Sequence, residues 1–453
     1  MCGQYNKVQG NPTTVHAVSS THRTAGQQSV ARTPRRAKGP RSNQPRRIVI
    51  VGAGDCGARA AIAIRQADWN GDLTLIGDET HVPYERPPLS KAVLAADGAT
   101  PPAIASAKKL ADLAIAWEQG LAAKSVDRAN GEVVLADGRR VGYDRLLLTT
   151  GARARRPAIS GPDVVTTLRS LSDATHLRAR LTPGTRLLVI GGGFIGLEVA
   201  ATATARSCTV TVIEFAHRLM SRVVPAKVAE VIQARHLEAG VDLRCGLGVD
   251  RIEALGEAFS VVLTDGAVVV ADVVMAGIGA VPNTELAASA GLTVANGICV
   301  DDRLRTEDPA IFAAGDCCSF PHPLYGGQRV RVEAWKNALQ QAELVAQNML
   351  GSDAACESVP WFWSDQYELG IQIAGLHAAA AYDVVRSRGD GSDIRFGLDN
   401  DGRIVSASGV ALGSSISKDI SLAEILIAQR ATPRATDLAD PAVSLRGLVR
   451  QAS

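Results

Sequence analysis

Two glycine clusters carry the first chemistry. Gly52-Ala53-Gly54-Asp55-Cys56-Gly57 and Gly191-Gly192-Gly193-Phe194-Ile195-Gly196 share one G-x-G-x-x-G spacing. In such a loop the first glycine permits a tight turn and the second lets a pyrophosphate approach the backbone. The third lets the following helix pack on the strand. Free N–H groups at the helix start then face the phosphates. An acid follows each loop at the end of the next apolar run, Asp78 after Leu73–Ile76 and Glu214 after Thr209–Ile213. A carboxylate there can accept hydrogen bonds from an adenosine ribose.

The elements that must hold these groups are equally regular. Arg47-Ile48-Val49-Ile50-Val51 and Leu187-Leu188-Val189-Ile190 are short apolar runs suited to buried parallel strands, and helix formers follow each loop. Each half then repeats a hairpin, Val133–Gly138 and Val261–Gly266, with an Asp-Gly turn, and a strand that runs into glycine. Residues 338–350 have helical periodicity with Gly351 as a C-cap. Beyond Pro360 the pattern becomes strands at 361–363, 367–373, 381–385, 393–396 and 404–407, then a helix over 420–429. The fold class is α/β: two Rossmann-like units and a small α+β domain at the C-terminus. A chain of 453 residues suits about three domains.

The eight cysteines contain no C-x-x-C pair, which argues against a zinc ribbon, a bound iron–sulfur cluster and a dithiol centre, and no metal site is expected. Cys317 and Cys318 are adjacent, so a bridge between them would be strained. Scattered cysteines suit a reducing cytoplasm. No apolar run reaches the ~18 residues of a membrane span. Residues 1–47 carry two Lys and seven Arg against no acid, a charge of +9, leaving 39 basic and 46 acidic side chains, or −7, for residues 48–453. The basic pI belongs to this tail and gives no argument for nucleic-acid binding. The tail has no Leu, Ile, Phe or Trp, so disorder is its expected state. It reads as a dispensable N-terminus or an organelle transit peptide; the lack of an apolar face favours the first.

Four further pieces carry a resemblance that spans residues 47–453. They are Pro83-Tyr84-Glu85-Arg86-Pro87-Pro88-Leu89-Ser90-Lys91, Gly191–Ala200, Ala313-Ala314-Gly315-Asp316-Cys317 and Trp361-Phe362-Trp363-Ser364-Asp365-Gln366-Tyr367. In that order and separation the chain resembles the glutathione-reductase-like flavoproteins, and within them the NADH-dependent ferredoxin reductases of bacterial cytochrome P450 and Rieske dioxygenase systems. The resemblance implies FAD on the first glycine loop and NADH on the second. It assigns residues 48–152 and 283–352 to FAD, 153–282 to NADH, and 357–453 to an interface domain over the flavin. Gly52, Gly54, Cys56 (through its backbone), Gly57 and Asp78 would meet the FAD pyrophosphate and ribose, and Ala123 the adenine. Arg86, Lys91 and Arg169 would lie at the flavin. Asp316 would sit beside the ribityl chain at a helix N-terminus, and Trp335 near the isoalloxazine.

Gly191, Gly193, Gly196 and Glu214 would hold NADH. Glu214 favours NADH over NADPH by repelling a 2′-phosphate, although Arg218 and Arg222 follow it and could receive one. Glu198 could pair with Lys91 across the flavin, or serve as a first-turn acid favoured by the helix dipole; the two are compatible. The alternative for Lys91 is a surface lysine at a helix start; the flavin role is preferred, because Pro87-Pro88 stiffens the approach and Ser90 could cap the helix that Lys91 enters. One departure is Ala334, where the family often has a polar residue. With no dithiol, electrons would leave the flavin directly for a [2Fe–2S] ferredoxin, steered by Arg153, Arg155, Arg156, Arg331 and Lys336. The implied protein is a monomer or weak dimer. Other readings are an NADH oxidase, a rubredoxin reductase, and an NADH-sensing protein like apoptosis-inducing factor.

Overall fold

The computed structural model describes residues 44–452. The expectations for the basic tail lie outside the described residues, except at its last four positions.

The first glycine loop is held by a five-stranded parallel sheet. Strand β1 (Arg47–Val51) leads through the loop into helix α1 (Asp55–Gln66), then β2 (Asp72–Gly77), β3 (Ile115–Gln119) and β4 (Arg145–Leu148). The strand order is Ile311–Ala313, β4, β1, β2, β3, with a crossover from far down the chain supplying the outer strand. Ile48, Val49, Ile50 and Val51 are all buried, as a strand covered on both faces requires. On α1, Ala58, Ala61 and Ile64 recur at helical spacing and turn inward. Burying Ile64 fully contributes about 1.5–3 kcal/mol.

The second loop sits in a second parallel sheet of the same design. Strand β5 (Arg186–Ile190) precedes it and α2 (Phe194–Ala205) follows, then β6 (Thr209–Glu214) and α3 (Ala226–Glu238). The order is Asp242–Cys245, β6, β5, Val273–Ala276, Thr166–Thr167. Helix α2 is buried almost all round, including Glu198. An ionisable side chain on such a helix must find partners inside the protein.

Helix α4 (Trp335–Met349) returns to pack on α1 through Ala338, Ala342, Val345 and Ala346. It begins three residues before the periodicity predicts, because Trp335 lines the cleft and Lys336 pairs with Glu424, so neither shows as a core position. The C-terminal part is an antiparallel sheet of β7 (Trp361–Gln366), β8 (Leu369–Gly375), β9 (Tyr382–Ser387), β10 (Asp393–Leu398) and β11 (Ile404–Leu412). Its order is β7, β8, β11, β10, β9, and α5 (Ser417–Ala428) covers one face. The strand predicted at Tyr367 starts two residues later; Tyr367 occupies a turn at φ +53°. Among the described residues no helix is long and apolar enough to cross a membrane.

Two histidines, His236 and His322, are fully buried, and burial lowers the pKa of both rings. Their folded pKa values lie below the unfolded value of about 6.5, so the unfolded chain takes up protons first as pH falls. Their contribution to stability is complete above about pH 6.5 and is lost progressively below it. The Tm should therefore decline between pH 7.5 and 5.5, and less steeply in His322→Asn. Parallel pH dependences in the two proteins would assign the decline elsewhere.

Candidate functional site

Both glycine loops open on one cleft of ≈ 1170 Å³. The first and third glycines of each are demanded by the protein itself. Gly52 has φ +111°, and a Cβ there would lie 2.1 Å from the Thr149 carbonyl oxygen. A Cβ at Gly57 would lie 1.9 Å from the Gly52 oxygen, and one at Gly196 2.1 Å from the Gly191 oxygen. The middle glycines differ. Gly54 (φ −76°) and Gly193 (φ −88°) have ordinary backbones. Their nearest neighbours to an added Cβ are 3.9 Å and 3.8 Å away. Neither conformation nor packing calls for glycine there. Each bare backbone faces the cleft at a helix start, a cradle that a phosphate group fits.

Asp78 ends the first unit exposed and on the cleft wall. Glu214 ends the second, pinned by both oxygens: Gly192 N–H donates to Oε2 at 2.6 Å and Ala216 N–H to Oε1 at 2.7 Å. Phe215 follows it, lining the cleft with 81% of its surface exposed. Arg218 is occupied by the Leu219 and Ser221 carbonyls, while Arg222 lines the cleft and has no ion pair among the described residues.

Between the loops lies a polar belt. Arg86 donates to Glu79 Oε1 at 2.6 Å and to the Arg169 carbonyl at 2.6 Å, while the Tyr84 hydroxyl donates to the other Glu79 oxygen. Arg169 in turn donates to Asp316 Oδ2 at 2.7 Å. Asp316 lies in a single 3-10 turn, Gly315–Cys317, a helix start of the shortest kind. That short turn is anchored by Gln341 Oε1, which accepts from Gly315 N–H.

Lys91 and Glu198 come together at 3.3 Å, and Asp365 approaches Lys91 from the other side at 3.5 Å. Glu198 is 4% exposed and also accepts from the Ser90 and Ser364 hydroxyls. Burial pushes its carboxyl pKa up, opposed by the Lys91 ammonium and the two hydroxyls. Ser90 is therefore not a helix cap. The backbone breaks at Lys91 (φ −115°, ψ −108°) between a 3-10 turn, Pro87–Ser90, and a four-residue helix, and no side chain caps the latter.

The remaining wall is aromatic. The Trp335 and Trp363 rings lie 5.7 Å apart, edge to face, and Trp361 and Trp363 lie 5.5 Å apart. Arg59, Lys91 and Lys336 stand over Trp335, Trp363 and Trp361 respectively. Trp335 Nε1 is buried with no hydrogen-bond partner.

Of the residues singled out by sequence, Gly52, Gly54, Cys56, Asp78, Arg86, Lys91, Arg169, Gly191, Gly193, Glu198, Glu214, Asp316 and Trp335 all line this cleft. Gly57 and Gly196 lie beneath the loops as packing positions, and Ala123 lies on a neighbouring strand off the cleft lining. The cationic candidates are mostly engaged: Arg153 with Glu285, Arg156 with Asp163, Arg331 with Glu333 and Lys336 with Glu424. Sequence reasoning missed Glu79, Tyr84, Ser364 and Phe215. Glu79 had a signal, the second acid of Gly77-Asp78-Glu79, and Tyr84 and Ser364 stand inside the motifs that carry the resemblance; Phe215 had none.

Two dinucleotide cradles on one cleft define a two-nucleotide flavoprotein oxidoreductase. Residues 46–342 match the pyridine nucleotide-disulphide oxidoreductase family and residues 361–449 the reductase C-terminal family; the chain belongs to the former and carries the latter's domain. Such enzymes use FAD and NADH. The chain is 43% identical over 407 residues to the ferredoxin–NAD(+) reductase component of the anthranilate 1,2-dioxygenase system of Burkholderia cepacia, covering 88% of this chain and 98% of that protein. It is 41% identical to putidaredoxin reductase of Pseudomonas putida, covering 76% of this chain and 82% of that one. The solved covalent putidaredoxin reductase–putidaredoxin complex superposes with a TM-score of 0.84 at 36% identity, covering 90% of this chain and 99% of that one.

Proposed function

We propose that this chain is a ferredoxin–NAD(+) reductase that passes electrons from NADH through FAD to a [2Fe–2S] ferredoxin feeding a P450 or ring-hydroxylating dioxygenase. The observation that carries the two-nucleotide reading is the pair of middle glycines, Gly54 and Gly193, which only a ligand requires. The relatives, named for ferredoxin reduction, support the acceptor.

In this reading residues 48–152 and 283–352 hold FAD and 153–282 hold NADH, with 357–453 as the partner's platform. Gly52, Gly54 and the Cys56 N–H receive the FAD pyrophosphate, with Gly57 packing beneath them, and Asp78 receives the ribose. Ala123 meets the adenine through its backbone. Arg169 and Asp316 hold each other beside the ribityl chain. Lys91 and Glu198 face the flavin as a charged pair, and Arg86 and Trp335 bound it. Gly191 and Gly193 seat NADH above the packed Gly196, with Glu214 on its ribose. Bound together, the two nucleotides supply hydride transfer and onward transfer of single electrons. The chain's own residues orient both rings and exclude water.

A rubredoxin–NAD(+) reductase of Pseudomonas putida is 40% identical over 342 residues, so the acceptor is the point to test. NADH-driven reduction of a purified [2Fe–2S] ferredoxin, rubredoxin and dioxygen should rank ferredoxin first by at least about tenfold in kcat/KM. Equal turnover with dioxygen would refute the proposal.

A further inference from the structure

Glu198 is the inner end of a hydrogen-bonded chain that reaches the surface. Ser364 Oγ donates to its Oε1 at 2.6 Å. Gln366 Nε2 donates to Ser364 Oγ at 3.1 Å. The amide then has its oxygen left over, and Gln366 Oε1 lies 2.9 Å from His236 Nε2. That nitrogen must therefore carry the imidazole proton, which leaves Nδ1 as acceptor for the Tyr367 hydroxyl at 3.1 Å. Four donors in succession thus point the same way, from the turn between β7 and β8 to the carboxylate.

Three features show that the chain is built. His236 is 0% exposed on α3, yet both its ring nitrogens have side-chain partners, Gln366 and Tyr367. Tyr367 holds a left-handed backbone (φ +53°) that a bulky residue adopts only under strain, and that turn brings its hydroxyl to the ring. Arg235 lies over the Tyr367 ring at 4.2 Å and pairs with Glu368 at 2.7 Å, closing the outer end.

We propose that His236, through Gln366 and Ser364, is a positioning residue that keeps Glu198 ionised and aimed at Lys91. This deepens the reading of Lys91 and Glu198 as the charged pair at the flavin and rests on it. Burial favours the neutral carboxyl at Glu198, and aligned donors offset that preference by presenting their positive ends to the charge. The groups facing the chain are few. Lys91, with Asp365 behind it, faces Glu198 together with the Ser90 hydroxyl; Arg235, Glu368 and Glu238 flank His236 and Tyr367. A neutral His236 also suits its place beside the Arg235 cation, since burial and that charge both lower its pKa.

The test compares wild type, His236→Phe, His236→Gln and Tyr367→Phe as flavin-loaded full-length proteins. The first reading, taken without NADH, is infrared titration of the Glu198 carboxyl, identified by its loss in Glu198→Gln. The midpoint should rise by about one pH unit in His236→Phe, rise less in Tyr367→Phe, and return toward wild type in His236→Gln, which restores a donor. The acid limb of flavin reduction by NADH should move upward in step. If His236→Phe does not fold, Tyr367→Phe and His236→Gln still decide the matter. An unmoved carboxyl midpoint in every folded variant would overturn the proposal. Failure of wild type to be reduced by NADH at any pH would instead refute the electron-transfer reading and leave the carboxyl titration standing.

Discussion

Gly54→Val should fold and purify without colour. The added side chain meets no protein atom closer than 3.9 Å from its Cβ, so the apoprotein loses little stability. It fills the bare surface proposed to receive the FAD pyrophosphate, and bound flavin should fall to a few per cent of wild type or less. Gly57→Val is the contrasting case. Its Cβ would lie 1.9 Å from the Gly52 oxygen and 2.5 Å from Thr149 Oγ1, forcing β1 and α1 apart at a cost of about 3 kcal/mol or more. The comparison is made on apoproteins, because bound FAD itself raises the Tm. Circular dichroism, thermal melts and the flavin absorbance per chain separate the two effects. Full flavin occupancy in a folded Gly54→Val protein would mean that the phosphates lie elsewhere.

Glu214→Ala should lose NADH preference. The carboxylate is fixed by the Gly192 and Ala216 N–H groups, so its charge faces the cleft without choosing among rotamers. Removing it deletes the charged hydrogen bond proposed to the ribose, worth roughly 1.5–3 kcal/mol, or about 10–100-fold in kcat/KM for NADH. It also deletes the repulsion of a 2′-phosphate, and Arg222 is available to meet one. The NADH to NADPH ratio should therefore narrow from both sides. Glu214→Gln, nearly isosteric, isolates the charge and should recover NADPH use more than it harms NADH. An unchanged ratio in both variants would move the ribose contact off β6.

What could be seen in the chain before folding was local. The close packing of Gly57 on Gly52 and of Gly196 on Gly191 is set by neighbours a few residues away, and Glu214 is marked by its strand end, whereas the contacts that demand glycine at 52 and 191 come from the distant Thr149 and Gly277. Lys91 and Glu198 were brought together only by resemblance, since residues from separate units meet there. Arg169 and Asp316 lie 147 positions apart, and His236 and Gln366 lie 130 apart. No period or spacing connects such pairs. Ser90 misled because a Ser before an apolar run has the look of a cap, whereas its hydroxyl is drawn into the buried carboxylate instead. Tyr367 misled because aromatic residues favour strands, and nothing local signals a left-handed turn at that residue.

The thiols around the first cradle bear on durability. Cys56 lies in the loop, Cys317 and Cys318 follow Asp316, and Cys356 touches Gln341, the residue that anchors Gly315. All four are buried, and burial raises the pKa of each. Peroxide attacks the thiolate, not the thiol. In the proposed reading a reduced flavin meeting air would generate peroxide at its own doorstep, where these thiols are protonated and shielded and so are poor targets.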